Sequence, residues 1–94
     1  MNFLAHLVLA PPTARGRLGS IAPDMIRGPL PSHLDAQVVA AAREHQRIDA
    51  FTDAHPAFLR TRDRLRGVVD PRLAGVLADV LYDHVLASRW STYR

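Results

Sequence analysis

The sequence contains no cysteine, and this absence excludes disulfide bonds, thiol chemistry and thiolate metal sites. It also contains no lysine: all 12 basic residues are arginine, and Glu44 is the only glutamate beside eight aspartates. No apolar run is long enough to cross a bilayer. The apolar segment 1–10 lacks a basic region and is interrupted by His6, so it does not resemble a targeting signal. We therefore expect a cytoplasmic protein without a membrane span.

The composition indicates one globular domain over residues 1–94. Hydrophobic residues make up 48% of the chain and charged residues 22%, which is typical of a folded protein rather than a disordered one. A chain of this length buries only about two thirds of its unfolded surface, so a partner subunit or a bound metal would add needed stability. The formal net charge of +3 is too small to predict nucleic-acid binding.

Helical periodicity dominates the sequence, and we expect an all-α bundle of about five helices. The predicted helices lie near residues 2–10, 17–27, 34–55, 56–67 and 71–90. Pro23 predicts a late start or a kink in the second helix. Ser32 and Asp35 form a weak capping-box pattern before the third helix. Asp70 followed by Pro71 predicts the start of the last one.

The third predicted helix carries His45, Asp49 and Asp53 at intervals of four residues. This spacing places the three side chains along one stripe of the helix. An imidazole and two carboxylates on one stripe can converge on a divalent cation. The alternative is a histidine and two aspartates on a solvated face or at a helix end. Arg47 falls on the other side of the helix.

The last predicted helix carries Asp79, Asp83 and His84 among apolar residues. Asp79 and Asp83 share a face, and His84 lies about 100° around the axis. Burying these groups is costly unless they are paired or bound to a ligand, so this is the stronger of the two clusters. In the alternative, Asp79 and Asp83 face water near Arg72 or Arg89.

Two further histidines have ordinary explanations. His6 lies on an apolar helix, where a histidine is more often a hydrogen-bonded core residue than a ligand. His55 stands at the end of the third predicted helix, and its interaction with the helix dipole accounts for it.

Four alternating arginines in the fourth predicted helix form two basic ridges. Arg60 and Arg64 are neighbours one turn apart on one ridge, and Arg62 and Arg66 are neighbours on the other. A solvated face is the default interpretation of such a run. As a docking surface, it would suit an acidic protein or a phosphate better than DNA, because interleaved aromatic residues are absent.

Four segments together resemble the acyl-carrier-protein phosphodiesterases, a divergent HD-like group of metal-dependent phosphohydrolases. They are MNFLAHL at the start, PDMIRG at 23–28, HQRIDAFTDAHP at 45–56 and DVLYDHVLASRW at 79–90. The segments occur in the family's order, with similar intervals, and span nearly all of the chain. Family members continue well beyond the last segment, so we expect this chain to correspond to the N-terminal part of an HD-like fold.

The resemblance implies hydrolysis of the phosphodiester that links 4′-phosphopantetheine to a serine of holo acyl carrier protein, a reaction of lipid metabolism. It implies a divalent metal, with Mn²⁺ as the expected ion. The metal ligands implied by the matching positions are Asp24, His45, Asp49, Asp83 and His84. His6 and Asp79 would contact these ligands and orient them without binding the metal themselves.

The resemblance also implies roles for residues outside the metal ligands. Asp53 would act as a base or orient a ligand, while Arg47 or Arg27 would neutralise phosphoryl oxygens. Since acyl carrier proteins are acidic, Arg60 and Arg64 become candidate docking residues.

Two alternatives remain open from the sequence. The chain could be a metal-dependent phosphohydrolase that acts on another small phosphoester. It could instead be an inactive helical fragment whose apolar terminal helices cover each other in a homo-oligomer. We expect a homo-oligomer in either case, because a large exposed apolar face is rare in soluble monomers.

Overall fold

Helices make up about three quarters of the computed structural model, which describes residues 2–93. They are α1 (Phe3–Leu9), α2 (Ala14–Met25), α3 (Ala36–Asp53), α4 (Pro56–Leu65), a 3₁₀ helix (Pro71–Leu73), α5 (Ala74–Ser88) and α6 (Trp90–Tyr93). Within residues 2–93 there is no strand, so the predicted all-α fold is confirmed.

Helix α2 begins earlier than the sequence predicts. The Thr13 hydroxyl accepts a hydrogen bond from the backbone N–H of Gly16 at 3.0 Å and caps the helix there. The late start predicted from Pro23 is therefore wrong. Pro23 lies in the last turn, where its missing N–H costs one hydrogen bond to the carbonyl of Gly19, and the helix ends soon afterwards at Met25.

Two other helix starts also depend on side-chain contacts that differ from those predicted by the sequence. Asp35 itself caps α3, because its carboxylate accepts from the Gln37 N–H at 2.8 Å, so the capping box predicted at Ser32 is wrong. His55 is the N-cap of α4, and its Nδ1 accepts from the Ala57 N–H at 3.1 Å. This hydrogen bond at the start of α4, rather than an interaction with the dipole of α3, accounts for a histidine at position 55.

The predicted last helix is divided into three parts. Asp70 accepts from the Arg72 N–H at 2.9 Å, so the predicted start signal is confirmed, but it opens a 3₁₀ turn rather than an α-helix. Helix α5 follows directly, and Arg89 separates it from α6.

The tightest packing joins α2 to α3 through small residues. A Cβ atom added at Gly19 would lie 2.3 Å from the Val38 carbonyl oxygen and 2.6 Å from the Ala41 Cβ. This approach brings the backbone of Ser20 against α3, where His45 is buried. The close packing of α2 on α3 therefore brings together the segments that carry Ser20 and His45.

Within the described residues, no helix is both long enough and apolar enough to traverse a bilayer. Apolar side chains on α5 are nevertheless well exposed, including Val76 at 64% and Val80 at 47%. This outer face of α5 has no covering helix among residues 2–93.

Candidate metal centre

Side chains from three helices converge where α1, α2 and α3 meet. His6 comes from α1, and His45 and Asp49 come from adjacent turns of α3. One ligand atom from each of these three residues lies within 4.8 Å of the other two. Asp24, near the end of α2, adds a carboxylate oxygen 3.3 Å from His45 Nε2. We call these four residues the His/Asp cluster.

Asp49 links the two histidines through both of its oxygens. Its Oδ1 lies 2.9 Å from His6 Nε2, and its Oδ2 lies 3.2 Å from His45 Nε2. The interval of four residues between His45 and Asp49 produces the second contact. The first depends on how α1 packs against α3, since 43 residues separate His6 from Asp49.

The Ser20 backbone fixes the orientation and tautomer of His45. His45 Nδ1 lies 2.6 Å from the Ser20 carbonyl oxygen. A carbonyl oxygen only accepts, so Nδ1 carries the hydrogen and Nε2 of the neutral ring carries a lone pair. That lone pair faces carboxylate oxygens of Asp24 and Asp49, which also only accept. A positive charge, either a proton or a metal ion, is required among these three atoms.

His6 is the most deeply buried member of the cluster. Its side chain is 0% exposed, and its ring stacks on that of His45 with centroids 3.6 Å apart. Burial lowers the pKa of His6, and the neighbouring His45 lowers it further. The neutral ring is thus favoured, which is the form that binds metals. Among the described residues, His6 Nδ1 has no hydrogen-bond partner, so this buried polar atom remains unsatisfied.

The distances within the cluster fit ligands of a single ion. Two ligands that each lie about 2.1 Å from one metal ion are about 3.0–3.4 Å apart in octahedral or tetrahedral geometry. Three separations in the cluster, 2.9, 3.2 and 3.3 Å, lie in or just below this range, and one ligand atom from each of His6, His45 and Asp49 lies within 4.8 Å of the other two. Imidazole nitrogens and carboxylate oxygens together suit Mn²⁺, Fe²⁺ or Zn²⁺. The residues present therefore fit a divalent metal ion.

The charge state of Asp49 also suits a metal ligand. Burial acts to raise the pKa of its carboxyl, but a hydrogen bond and positive charge beside it outweigh burial and lower the pKa. Asp49 is consequently ionised at neutral pH, as a metal ligand must be.

Asp83 and His84, two of the predicted metal ligands, contact other groups. The Asp83 carboxylate accepts hydrogen bonds from the backbone N–H groups of Leu4 and Ala5, each at 3.2 Å. It thereby caps α1, whose own N-cap Asn2 makes no such side-chain bond. His84 lies on the exposed side of α5. No contact joins either residue to the His/Asp cluster within residues 2–93, and their metal role stays a prediction.

Asp79 and Asp53 lie near the cluster without being part of it. Asp79 is half-buried on α5, and burial raises its pKa, with further contributions from Asp53, Asp49 and Asp83. Asp53 is exposed at the last position of α3. Asp79 therefore lies near the carboxylates of α3, Asp83 caps α1, and Arg72 pairs with Asp70 instead.

The arginines predicted to bind substrate are on the surface. Arg47 is 79% exposed and pairs with Glu44 at 3.6 Å, on the side of α3 away from the stripe, as its position predicts. Arg27 is exposed in the segment after α2, and Arg60 and Arg64 are exposed on α4. The structure therefore places none of these four guanidinium groups in contact with the cluster.

His6 is the cluster residue that the sequence analysis undervalued. Its apolar neighbours on α1 are typical of a core histidine, and it is indeed buried. No spacing within one helix connects it to His45 and Asp49. Only its place in a segment that resembles the family indicated a role near the metal.

Comparison with known proteins gives one consistent family. The family model for acyl carrier protein phosphodiesterase matches residues 1–94. A protein of that name from Photorhabdus laumondii is 38% identical over 90 residues, covering 96% of this chain and 45% of the relative. The corresponding protein of Pectobacterium atrosepticum is 40% identical over 95 residues, with coverages of 96% and 46%.

A third relative of the same name, from Escherichia coli O139:H28, is 37% identical over 91 residues, covering 97% of this chain and 47% of the relative. The chain thus spans about half the length of the curated relatives it matches. No solved structure gives a significant match.

Proposed function

Because the chain belongs to the acyl carrier protein phosphodiesterase family, we propose that it is the metal-binding part of a hydrolase that removes 4′-phosphopantetheine from holo acyl carrier protein. The observation that carries this proposal is the position of His45 Nε2, which lies 3.3 and 3.2 Å from carboxylate oxygens of Asp24 and Asp49. A hydrolase of phosphodiesters commonly uses a divalent ion at such a site.

We propose His6, His45, Asp49 and Asp24 as the residues that hold the ion, with Mn²⁺ as the ion that the family resemblance implies. When bound, such an ion lowers the pKa of a water molecule and polarises a phosphoryl oxygen. The Ser20 carbonyl holds His45 in the tautomer that leaves Nε2 available. Asp49 orients both imidazoles, since each of its oxygens faces one ring.

Asp53 is our candidate for the general base. It lies one turn beyond Asp49 on the same stripe of α3, and its side chain is exposed and so accessible to substrate. Arg27 is the candidate for binding phosphoryl oxygens, because it follows Asp24 closely and its planar guanidinium suits phosphate. Arg47 faces away from the stripe, so its predicted catalytic role has weaker support than that of Arg27.

The exposed ridge of Arg60 and Arg64 on α4 is our candidate docking surface for the acidic carrier protein. The Asp63 carboxylate forms ion pairs with Arg62 and Arg66, at 3.8 and 3.3 Å. Within residues 2–93, neither Arg60 nor Arg64 forms an ion pair, so both charges are available to acidic groups of a partner.

Charge reversal tests this surface. The double variant Arg60→Glu and Arg64→Glu should weaken binding of the carrier protein and flatten its salt dependence. The double variant Arg17→Glu and Arg43→Glu makes the same change in net charge elsewhere and serves as the control. Equal salt dependence in the two double variants would remove α4 as the docking surface.

Cleavage of holo acyl carrier protein by this chain tests the function. We expect release of 4′-phosphopantetheine with added Mn²⁺, none with a chelator, and none from the Asp49→Asn variant with Mn²⁺. Chelator-resistant release would overturn the metal-dependent mechanism. Absence of release from folded, Mn²⁺-loaded protein would overturn the proposal that this chain alone carries the activity.

A second candidate is supported by the exposed apolar side chains of α5. Val76, Val80 and Val85 are 64%, 47% and 43% exposed, which favours self-association. In this case the chain is an inactive fragment that forms a homo-oligomer. The other alternative from the sequence, a hydrolase of another small phosphoester, is also compatible with a homo-oligomer. Light scattering at micromolar concentration tests the first possibility, and turnover of a generic phosphodiester at a rate similar to that of the carrier protein supports the second.

A further inference from the structure

A narrow cleft opens beside the His/Asp cluster, between α1, the end of α3, the start of α4 and α5. Its volume is about 260 Å³. The residues that line it and matter here are Ala5, Thr52, Ala57, Phe58, Asp79 and Asp83. None of the residues proposed to hold the metal lines the cleft, so it is a separate feature of the fold.

The inner end of the cleft adjoins the cluster through two neighbouring residues. Ala5 directly precedes His6 on α1. Thr52 lies one turn after Asp49 on α3, and its hydroxyl donates to the Asp49 carbonyl oxygen at 3.3 Å. The cleft is therefore lined by close neighbours of two cluster residues, His6 and Asp49.

The charges that line the cleft make it unsuitable for an anion. Asp79 and Asp83 contribute carboxyl groups, and no arginine lines the cleft. A phosphate in this cleft would be repelled by Asp83, and no arginine of residues 2–93 lines the cleft to neutralise it. Ala5, Ala57 and Phe58 add apolar side chains to the lining, which favours an uncharged guest.

The size of the cleft restricts that guest to a small molecule or a single chain. The volume of about 260 Å³ lies just below the range of roughly 300–1,000 Å³ that is usual for small-molecule sites. The hydroxyl of Tyr82, which lines the cleft, lies 2.7 Å from the Thr61 hydroxyl, and this hydrogen bond joins α5 to α4. Asn2 also lines the cleft, and a side-chain amide can donate to and accept from the amide groups of a guest.

We propose that this cleft binds the uncharged pantetheine arm of the substrate, a linear chain with two amide groups, while the phosphodiester lies at the cluster. This inference rests on the proposed function, because it takes the substrate class from it. It adds the position of the arm, and it makes Ala57 and Phe58 residues that determine specificity for a narrow, neutral chain.

Binding of free pantetheine, which lacks the phosphate, tests the cleft without requiring catalysis. Since paramagnetic Mn²⁺ would broaden the NMR signals near the cluster, the titration uses the chelator-treated chain. We expect pantetheine to bind this chain and to perturb the backbone NMR signals of Ala5, Thr52 and Phe58. The Ala57→Leu variant fills the cleft and should weaken this binding about tenfold. The Ala50→Leu variant makes the same change at an exposed position of α3 outside the cleft and should bind as the unmodified chain does.

Equal Mn²⁺ affinity in both variants shows that the cluster is intact. Failure of free pantetheine to bind the unmodified chain, or unchanged binding by folded Ala57→Leu, would overturn the proposal. If Ala57→Leu does not fold, NMR perturbations of the unmodified chain that lie away from Ala5, Thr52 and Phe58 would overturn it. Pantetheine binding without hydrolysis of the carrier protein would overturn the proposal that this chain alone carries the activity, and would leave the cleft assignment standing.

Discussion

The His45 Nδ1 atom lies 2.6 Å from the carbonyl oxygen of Ser20, 25 residues earlier in the chain. This contact crosses from α3 to α2 and decides which nitrogen of His45 is available to the candidate metal site. It is possible because Gly19 has no side chain. The two helices approach so closely there that a Cβ atom at this position would clash with the Val38 backbone. Close helix packing and the chemistry of the site are therefore linked at these residues.

Replacing Gly19 with alanine should disrupt this helix crossing. The added methyl would lie 2.3 Å from the Val38 carbonyl oxygen, which is backbone and cannot move aside cheaply. We expect the free energy of unfolding to fall by about 1–3 kcal/mol and Mn²⁺ affinity to fall as well, measured by urea unfolding and calorimetry. Gly75→Ala on α5 meets no atom within 4 Å and should not destabilise the protein. Equal stability in the two variants would contradict this account.

Asp83 should stabilise α1 as a cap supplied by a distant helix. Asp83→Ala leaves the N–H groups of Leu4 and Ala5 without their acceptor, and we expect a loss of about 0.5–2 kcal/mol in unfolding free energy. Asp83→Asn keeps one acceptor oxygen and should lose less. The measurement is chemical unfolding in the presence of a chelator. A loss that occurs only when metal is present would indicate that Asp83 is a metal ligand, as the sequence predicts, and would contradict the capping role.

His55 should stabilise α4 through its unprotonated Nδ1, which accepts from the Ala57 N–H at 3.1 Å. His55→Ala removes the cap, and we expect a loss of about 0.5–1 kcal/mol. Asn is a favoured N-cap residue, so His55→Asn should retain most of the stability. Thermal unfolding followed by circular dichroism compares the two variants, and an alanine variant as stable as the asparagine variant would refute the cap.

Acid should destabilise the metal-free protein through His6. Its pKa in the native state lies below the ordinary 6.5, because of burial and then the neighbouring His45. Above pH 6.5 the ring is neutral in both states and contributes no pH dependence. As the pH falls from 6.5 toward the native pKa, the unfolded chain binds a proton that the native protein does not, so stability decreases by up to about 1.4 kcal/mol for each pH unit.

Urea unfolding with chelator at about pH 5.5 and about pH 7.5 measures this difference. The His6→Gln variant should show a smaller loss on acidification than the unmodified chain. His33→Gln, in an exposed loop, should leave the loss unchanged. An undiminished loss in His6→Gln would show that another group is responsible.

The all-α fold and half of the cluster could be predicted from the sequence because both depend on local periodicity. The spacing of His45 and Asp49 places them on one stripe whatever surrounds the helix. Proline and glycine marked most helix ends. The start of α3, however, is capped by Asp35 rather than Ser32, because Asp35 directly precedes the first residue of the helix and its carboxylate reaches a backbone N–H of the first turn.

The remaining features depend on contacts between distant segments. His6 reaches Asp49 only because α1 packs on α3, and Asp83 reaches Leu4 only because α5 packs on α1. Asp83 lies among apolar residues and so looks like a buried ligand in the sequence. Backbone N–H groups of another helix satisfy it equally well, and no pattern within α5 distinguishes the two cases.

Calorimetric titration of Mn²⁺ into the chelator-treated chain tests the central claim most directly. We compare the unmodified chain with His45→Gln, which removes a nitrogen of the cluster, and with His33→Gln, which changes an exposed loop histidine. Circular dichroism establishes that each variant is folded. The account predicts one ion bound per chain, loss of binding in His45→Gln and unchanged binding in His33→Gln. Unchanged binding in His45→Gln, or equal loss in His33→Gln, would contradict it.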